Sequence, residues 1–211
     1  MSNNALPPRL PRALLLFTGL YMAAAVGASA LQGNREFVLY LVVMGLLIAT
    51  LAVVHRRVNL SPGLLWCLSA WGALHMAGGL VQVPRAWVDA DVQAVLYSVW
   101  LIPGRFKFDQ LVHGYGFAVA TWLCWQVLAA VIERQLGRRP QPSFGLCLLC
   151  AVGGMGYGAA NEVIEFLAVL TIPNTNVGGY INTGWDLVSN LVGSSLAATV
   201  IGVAGRRTAS L

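Results

Sequence analysis

Charged residues are scarce in this sequence. Only 10% of the 211 residues are Asp, Glu, Lys or Arg, whereas 57% are hydrophobic. Soluble domains carry roughly 25% charged residues, so the composition excludes a soluble globular domain and predicts an integral membrane protein. The net charge of +5 requires no nucleic-acid partner, because basic residues gather at the ends of membrane helices.

The sequence also lacks the short motifs of common soluble enzymes. It contains no phosphate-binding loop, no GxSxG motif and no HExxH motif. All four cysteines lie within hydrophobic runs, which argues against a secreted disulfide framework. We therefore expect any catalytic or binding site to be formed by the few polar residues that interrupt the hydrophobic runs.

Six hydrophobic runs are each long enough for a membrane-spanning helix, which needs about 20 residues. No repeat, low-complexity segment or soluble domain separates them. We therefore predict an all-α polytopic membrane protein in which residues 1–211 form one domain, a bundle of six transmembrane helices. The first run is expected to remain as a helix rather than to be removed as a signal peptide. The runs cover residues 13–31, 37–54, 63–83, 111–132, 144–170 and 184–204.

Lys and Arg are distributed unevenly between the two sets of loops. Of the 13 such residues, most fall near the chain ends and in the second and fourth loops. Because cytoplasmic loops are enriched in Lys and Arg, we predict that both termini are cytoplasmic. The larger group is Arg9, Arg12, Arg56, Arg57, Arg134, Arg138, Arg139, Arg206 and Arg207. The smaller group, on the outer face, is Arg35, Arg85, Arg105 and Lys107.

The third loop, from Pro84 to Phe108, is long and mixes apolar with polar residues. Its middle part, residues 91–101, has the composition of a short interfacial helix on the outer face. Pro103-Gly104 is expected to end that helix. Arg105, which follows, is placed to contact a lipid phosphate.

Two carboxylates, Glu162 and Glu165, lie in the last third of the fifth run. On a helix, a spacing of three puts both side chains on one face. Two acids in apolar surroundings require a proton, a cation or a histidinium between them. The segment before them, residues 153–160, is rich in Gly and Ala, which allows another helix to approach closely.

Polar residues on three other helices are expected at the same depth, because successive helices alternate in direction. Asp109 and His113 lie four residues apart in the fourth helix, where the carboxylate would fix the histidine tautomer. His75 in the third helix and Asp186 and Asn190 in the sixth fall in the same outer half of the membrane. Helix capping by the two aspartates and a structural role for His75 are the alternatives. Intramembrane ionisable groups mark function by default, so we predict one outward-facing pocket.

Four segments carry a resemblance to a known family. They are His75-Met-Ala-Gly-Gly79, Phe108-Asp-Gln-Leu-Val-His113-Gly-Tyr-Gly116, Asn161-Glu-Val-Ile-Glu-Phe166 and Trp185-Asp-Leu-Val-Ser-Asn190-Leu-Val-Gly193. In this order they resemble the YjdF-like family, a group of bacterial inner-membrane proteins without an assigned activity. The pattern is also similar to VanZ-like membrane proteins, some of which are linked to glycopeptide resistance. The resemblance implies a bacterial inner-membrane location. The stretch before Asp186 lacks a further acid that the family pattern implies.

We predict that the pocket binds or acts on a lipid or an envelope precursor. A metal-free acid–base pair is one form of such a site. A divalent metal ion is another, because carboxylate and imidazole ligands suit zinc, manganese or iron. The catalytic candidates are Glu162, Glu165, His113 and Asp109. The candidate metal ligands are His75, His113, Glu162, Glu165 and Asp186. The candidate substrate-binding residues are Asn190, Arg105 and Tyr157.

Two other classes of function remain open. The first is proton-coupled transport of a small solute or lipid, since chains of Asp, Glu and His serve this purpose in pumps. The second is a non-catalytic accessory protein in which the polar cluster fixes helix packing. The only partner that the composition itself requires is the lipid bilayer.

Overall fold

The computed structural model describes residues 10–173 and 175–209, with side chains to residue 206. All six predicted helices are present, and their ends lie within about five residues of the predicted boundaries. The helices are α1 (Arg12–Gln32), α2 (Arg35–Val58), α3 (Pro62–Leu80), α4 (Phe108–Leu136), α5 (Phe144–Thr171) and α6 (Tyr180–Ala209).

Five of these helices are long and apolar enough to cross a membrane, counted over the described residues: α1, α2, α4, α5 and α6. The remaining helix, α3, has 19 residues, and His75 and four glycines reduce its hydropathy. It packs against α1 and α4, and its buried residues include Leu64 and Met76. The all-α polytopic architecture is thus confirmed.

Local signals in the sequence set the helix ends. The side chains of Asn34, Ser61 and Ser143 accept hydrogen bonds from the first turns of α2, α3 and α5, as expected for N-cap residues. Gly33 and Gly137 follow α1 and α4 in left-handed conformations, with φ of 62° and 68°, which glycine adopts without strain.

Contacts near the ends of the helices show which ends lie together. At one end, the Arg134 guanidinium donates to the backbone carbonyl of Arg57. At the other, the backbone N–H of Asn176 donates to Oε2 of Glu36 at 2.7 Å. We call the first the basic end; its described arginines are Arg12, Arg56, Arg57, Arg134, Arg138, Arg139 and Arg206. Arg9 and the side chain of Arg207, also predicted to be cytoplasmic, lie outside the described residues.

The third loop does not contain the predicted interfacial helix over residues 91–101. It forms two single-turn 3₁₀ helices (Arg85–Trp87 and Leu96–Ser98) and a hairpin of β1 (Trp100–Ile102) and β2 (Phe106–Lys107). The backbone bonds instead to the segment after α3, where Leu96 N–H donates to the Val81 carbonyl at 3.0 Å. Because of this pairing, Val95 is 2% exposed and faces the bundle rather than the membrane interface.

Helices α4, α5 and α6 pack against one another more extensively than the other helices. A Cβ on Gly193 of α6 would collide with the backbone of Gly114 on α4, and a Cβ on Gly154 of α5 would collide with the Thr121 hydroxyl. Only glycine permits such close approach. The prediction that small residues on α5 admit a neighbouring helix is therefore confirmed, and the same close packing brings the polar side chains together.

Candidate functional site

His113 lies at the centre of a polar cluster between α4, α5 and α6. Its side chain is 6% exposed. Asp109, one turn earlier on α4, places Oδ1 3.6 Å from Nε2. From α5, Glu162 places Oε1 3.6 Å from Nδ1, and Glu165 places Oε1 4.0 Å from Nε2. The predicted His/Asp/Glu cluster is therefore present in the structure.

Helix α6 closes the cluster with two side chains that are fully buried, Asp186 and Asn190. The amide oxygen of Asn190 lies 3.2 Å from Nδ1 of His113. Because a carbonyl oxygen only accepts hydrogen bonds, this contact forms in the tautomer that carries the imidazole proton on Nδ1. Nε2 then faces Asp109 and Glu165 with a free lone pair, which can take a proton or bind a cation.

Two asparagines that the sequence analysis did not select hold the carboxylates in place. Nδ2 of Asn182 donates to Asp186 at 2.6 Å and to Asp109 at 3.3 Å, so it bridges α4 and α6. Nδ2 of Asn161 donates to Glu165 at 2.8 Å. Each asparagine precedes an acid by four residues, the spacing that puts two side chains on one helix face, and this signal was available in the sequence.

Several polar atoms in the cluster have unused hydrogen-bonding capacity. Both carboxylate oxygens of Glu162, Oδ1 of Asp186 and Nδ2 of Asn190 are buried without a hydrogen-bond partner among the described residues. Leaving such a group unsatisfied costs about 1–3 kcal/mol, so proteins normally pair them. The three carboxylate oxygens are acceptors and are suited to a proton, a water molecule or a cation.

The carboxylates and the imidazole of the cluster form two overlapping groups of three residues that could hold a metal ion. One is Asp109, His113 and Asp186; the other is His113, Glu162 and Glu165. In each group, one donor atom from every residue lies within 4.8 Å of the others. Carboxylate and imidazole donors in this combination fit zinc, manganese or iron.

His75, the remaining predicted ligand, belongs to neither of these groups among the described residues. Its Nδ1 lies 2.6 Å from the hydroxyl of Tyr97 in the third loop. Burial raises the pKa of Tyr97 well above its usual value of 10.0, and the charges of Asp109 and Glu165 raise it further. The Tyr97 hydroxyl therefore stays protonated at physiological pH. No sequence pattern singles out this tyrosine as part of the site.

The comparisons with known proteins identify the family. Residues 13–207 match a family model described as Predicted membrane protein (DUF2238). The chain belongs to this family. DUF2238 is the YjdF family, in agreement with the resemblance seen in the sequence. No curated protein and no solved structure matches the chain, and the similarity to VanZ-like proteins stays a prediction.

In this DUF2238 protein, the three candidate substrate-binding residues lie in different surroundings. Asn190 is part of the cluster. Arg105 is exposed in the hairpin turn and lines a groove of about 490 Å³ between α4 and α6, with Gln110 and Trp185. Tyr157 is 53% exposed on α5. A substrate contact for each of them stays a prediction.

Proposed function

We propose that the cluster around His113 is a divalent-cation site within the membrane, and that it acts on the polar part of a lipid or envelope precursor. The observation that carries this proposal is the convergence of four carboxylates on one imidazole. In the described part of the chain, all three ion pairs involve His113. No Lys or Arg side chain there is paired with Asp109, Glu162, Glu165 or Asp186.

The electrostatics of the cluster favour a bound cation. Like charges within about 4–6 Å disfavour each other's ionised form, and burial disfavours it further. Ionisable groups inside a membrane are costly and are retained where function needs them. A divalent cation held by Asp109, His113 and Asp186 would neutralise two carboxylates at once and would satisfy the unpaired Oδ1 of Asp186.

The residues of the chain have distinct roles in this proposal. A bound divalent cation would supply Lewis-acid activation of a water molecule or of a substrate oxygen. Glu162, whose carboxylate oxygens have no hydrogen-bond partner among the described residues, would accept the proton of the attacking water. Asn182 holds Asp109 and Asp186 at a fixed separation, and Asn190 fixes the His113 ring, as ligand-supporting residues do in metal sites.

We infer that the substrate reaches the cluster from the outer face of a bacterial inner membrane. The arginines of the basic end support a cytoplasmic position for that end and for both termini. The cluster lies toward the opposite end, near Asp109 at the start of α4 and Asn182 at the start of α6. Arg105 lies at that same end and is the residue that we propose to bind a substrate phosphate.

The test is a release assay with purified protein in detergent and radiolabelled bacterial membrane lipids. The protein is first treated with a chelator, and Mn²⁺ or Zn²⁺ is then restored. We expect metal-dependent release of water-soluble label by the unmodified protein and by the control Glu133→Gln, which changes an exposed acid of α4. Release should fall by at least about 100-fold in Glu162→Gln, the scale of a lost general base. Release that persists in Glu162→Gln would contradict the assigned role of this residue.

Proton-coupled transport is the second candidate, and one observation favours it. Beyond the cluster, Tyr40 donates to Oε1 of the buried Glu36 at 3.2 Å, and its ring packs edge-on against His75. Polar groups therefore continue from His75 toward the loop that contains Asn176. Proteoliposomes containing a pH-sensitive dye test this candidate: proton flux that is lost in Glu165→Gln supports it, and equal flux in both proteins contradicts it.

A further inference from the structure

A second cavity opens at the basic end of the bundle, away from the carboxylates of the cluster. Its volume is about 890 Å³, near the top of the range of roughly 300–1,000 Å³ for small-molecule sites. It is formed by α4, α6 and the loop between α4 and α5. Trp122, Trp125, Val200 and Ile201 contribute to its apolar walls, and Arg139 and Gln141 lie at its polar end. The proposed function assigns no role to this cavity.

The length of the cavity corresponds to one leaflet of a bilayer. On α6, whose last residues belong to the basic end, its lining extends from Leu196 to Gly205, which is about 14 Å at 1.5 Å per residue. The hydrocarbon core of a bilayer is about 30 Å thick, so the cavity reaches from the basic end to about the middle of the membrane. A hydrocarbon chain of one leaflet fits this span.

The charge at the polar end selects an anionic head group. Arg139 lines the cavity, and none of the lining residues is acidic. Arg134 and Arg206 belong to the same end of the bundle and add positive charge. Guanidinium groups bind phosphate oxygens in a bidentate manner, and basic clusters next to membrane helices attract anionic lipids.

We propose that this cavity binds one anionic phospholipid from the leaflet at the basic end. Its phosphate contacts Arg139, and an acyl chain lies between α4 and α6 against the two tryptophans. The phosphate end of this site is separate from the cluster, because His113 lies about 35 Å from Leu136, where α4 ends before the loop with Arg139, at 1.5 Å per residue.

The test is native mass spectrometry of the purified protein in detergent, after addition of phosphatidylglycerol or phosphatidylcholine at equal concentration. We expect one bound phosphatidylglycerol on the unmodified protein and on the control Arg138→Gln, and weaker retention of phosphatidylcholine. Arg139→Gln should lower phosphatidylglycerol retention about tenfold, the scale of one charged contact. Ala197→Trp, which fills the apolar wall, should abolish retention although every charge is kept.

Three results would overturn the proposal. Equal retention of the two lipids would show that the site does not select charge. Equal losses in Arg138→Gln and Arg139→Gln would show general attraction to the basic end rather than a bound head group. A lipid-free dimer of the unmodified protein would show that a second copy of the chain covers the cavity.

Discussion

At the scale of single residues, the cluster depends on amides as much as on acids. Asn182 bridges Asp109 and Asp186, and Asn161 holds Glu165. These donors restrict carboxylates that would otherwise separate by mutual repulsion. The fixed arrangement matters for the proposed site, because a ligand set is effective only when its supporting hydrogen bonds hold it in place.

Replacement of Asn182 by alanine tests this bridge. Asp186 would lose its donor at 2.6 Å while it remains buried, which is expected to reduce the free energy of unfolding by about 1–3 kcal/mol. Ser195→Ala, at an exposed position of the same helix, is the control and should change it by less than about 0.5 kcal/mol. Thermal unfolding in detergent, followed by tryptophan fluorescence, measures both. Equal stability of the two variants would contradict a bridging role.

The hydrogen bond between Tyr97 and His75 gives a prediction with a defined pH dependence. Below pH 10, Tyr97→Phe should destabilise the protein by about 0.5–1.5 kcal/mol through loss of that bond. The pKa of Tyr97 is raised in the folded state from its usual 10.0, so above pH 10 the hydroxyl ionises only in the unfolded chain. The unmodified protein therefore loses stability as pH rises, by up to about 1.4 kcal/mol per pH unit.

The variant lacks this ionisation, so the difference in stability between the two proteins should shrink between pH 10 and 11. Denaturant unfolding in detergent at pH 8, 10 and 11 measures this difference. A difference that stays constant across the three pH values would show that Tyr97 is not buried as described.

The sequence predicted the acids of the site better than their partners. Spacing and helix direction were sufficient to bring together Asp109, His113, Glu162 and Glu165. We predicted His75 as part of the site only because it lies at the same depth in the membrane. The direction in which its side chain leaves α3 determines its partner, which is Tyr97. The amide of Asn182 was missed because asparagine is common at helix starts, where its presence does not by itself indicate a site. This reason does not apply to Asn161, which lies within α5.

At the scale of secondary-structure elements, the close approach of α5 to α6 depends on a glycine, Gly158, which has no side chain. A Cβ on Gly158 would lie 2.7 Å from Nδ2 of Asn190, whereas a Cβ on Gly156 would meet no atom within 4 Å. The two glycines are two residues apart on one helix. They form a matched pair for a test of how packing positions the site.

Gly158→Ala is expected to destabilise the protein by about 1–3 kcal/mol, as overpacking does in a close-packed interior. It should also move Asn190 away from His113 and weaken metal binding. Gly156→Ala should be neutral or stabilise the protein by up to about 1 kcal/mol through helix propensity. Thermal unfolding with and without added Zn²⁺ compares them. Equal effects of the two substitutions would contradict the close contact at Gly158.

The helices were predictable and the third loop was not, for a physical reason. A membrane helix satisfies its own backbone hydrogen bonds, and it can be recognised in a sequence by an apolar run of sufficient length. The third loop bonds instead to residues after α3, and a local pattern of apolar residues cannot show such pairing. Its valines suggested a helix face, yet Val95 is buried against the bundle.

At the scale of the whole molecule, the basic end and the cluster lie toward opposite ends of the helix bundle. Asp91 in the third loop and Arg138 in the fourth loop are both exposed and lie in loops of opposite orientation. Cysteine is introduced at each position in turn, and intact bacterial cells are treated with a membrane-impermeant maleimide. Asp91→Cys should be labelled and Arg138→Cys should not, until the cells are opened. Labelling of Arg138→Cys in intact cells would contradict cytoplasmic termini.

The central claim is that the carboxylates around His113 bind a divalent cation. The most direct measurement is the metal content of the purified protein by mass spectrometry, after equilibration with Zn²⁺ or Mn²⁺ and removal of free metal. We predict about one bound ion per chain in the unmodified protein and in Glu133→Gln, and much less than one in His113→Ala and Asp186→Asn. An absence of bound metal in the unmodified protein, or equal metal content in all four proteins, would contradict the claim.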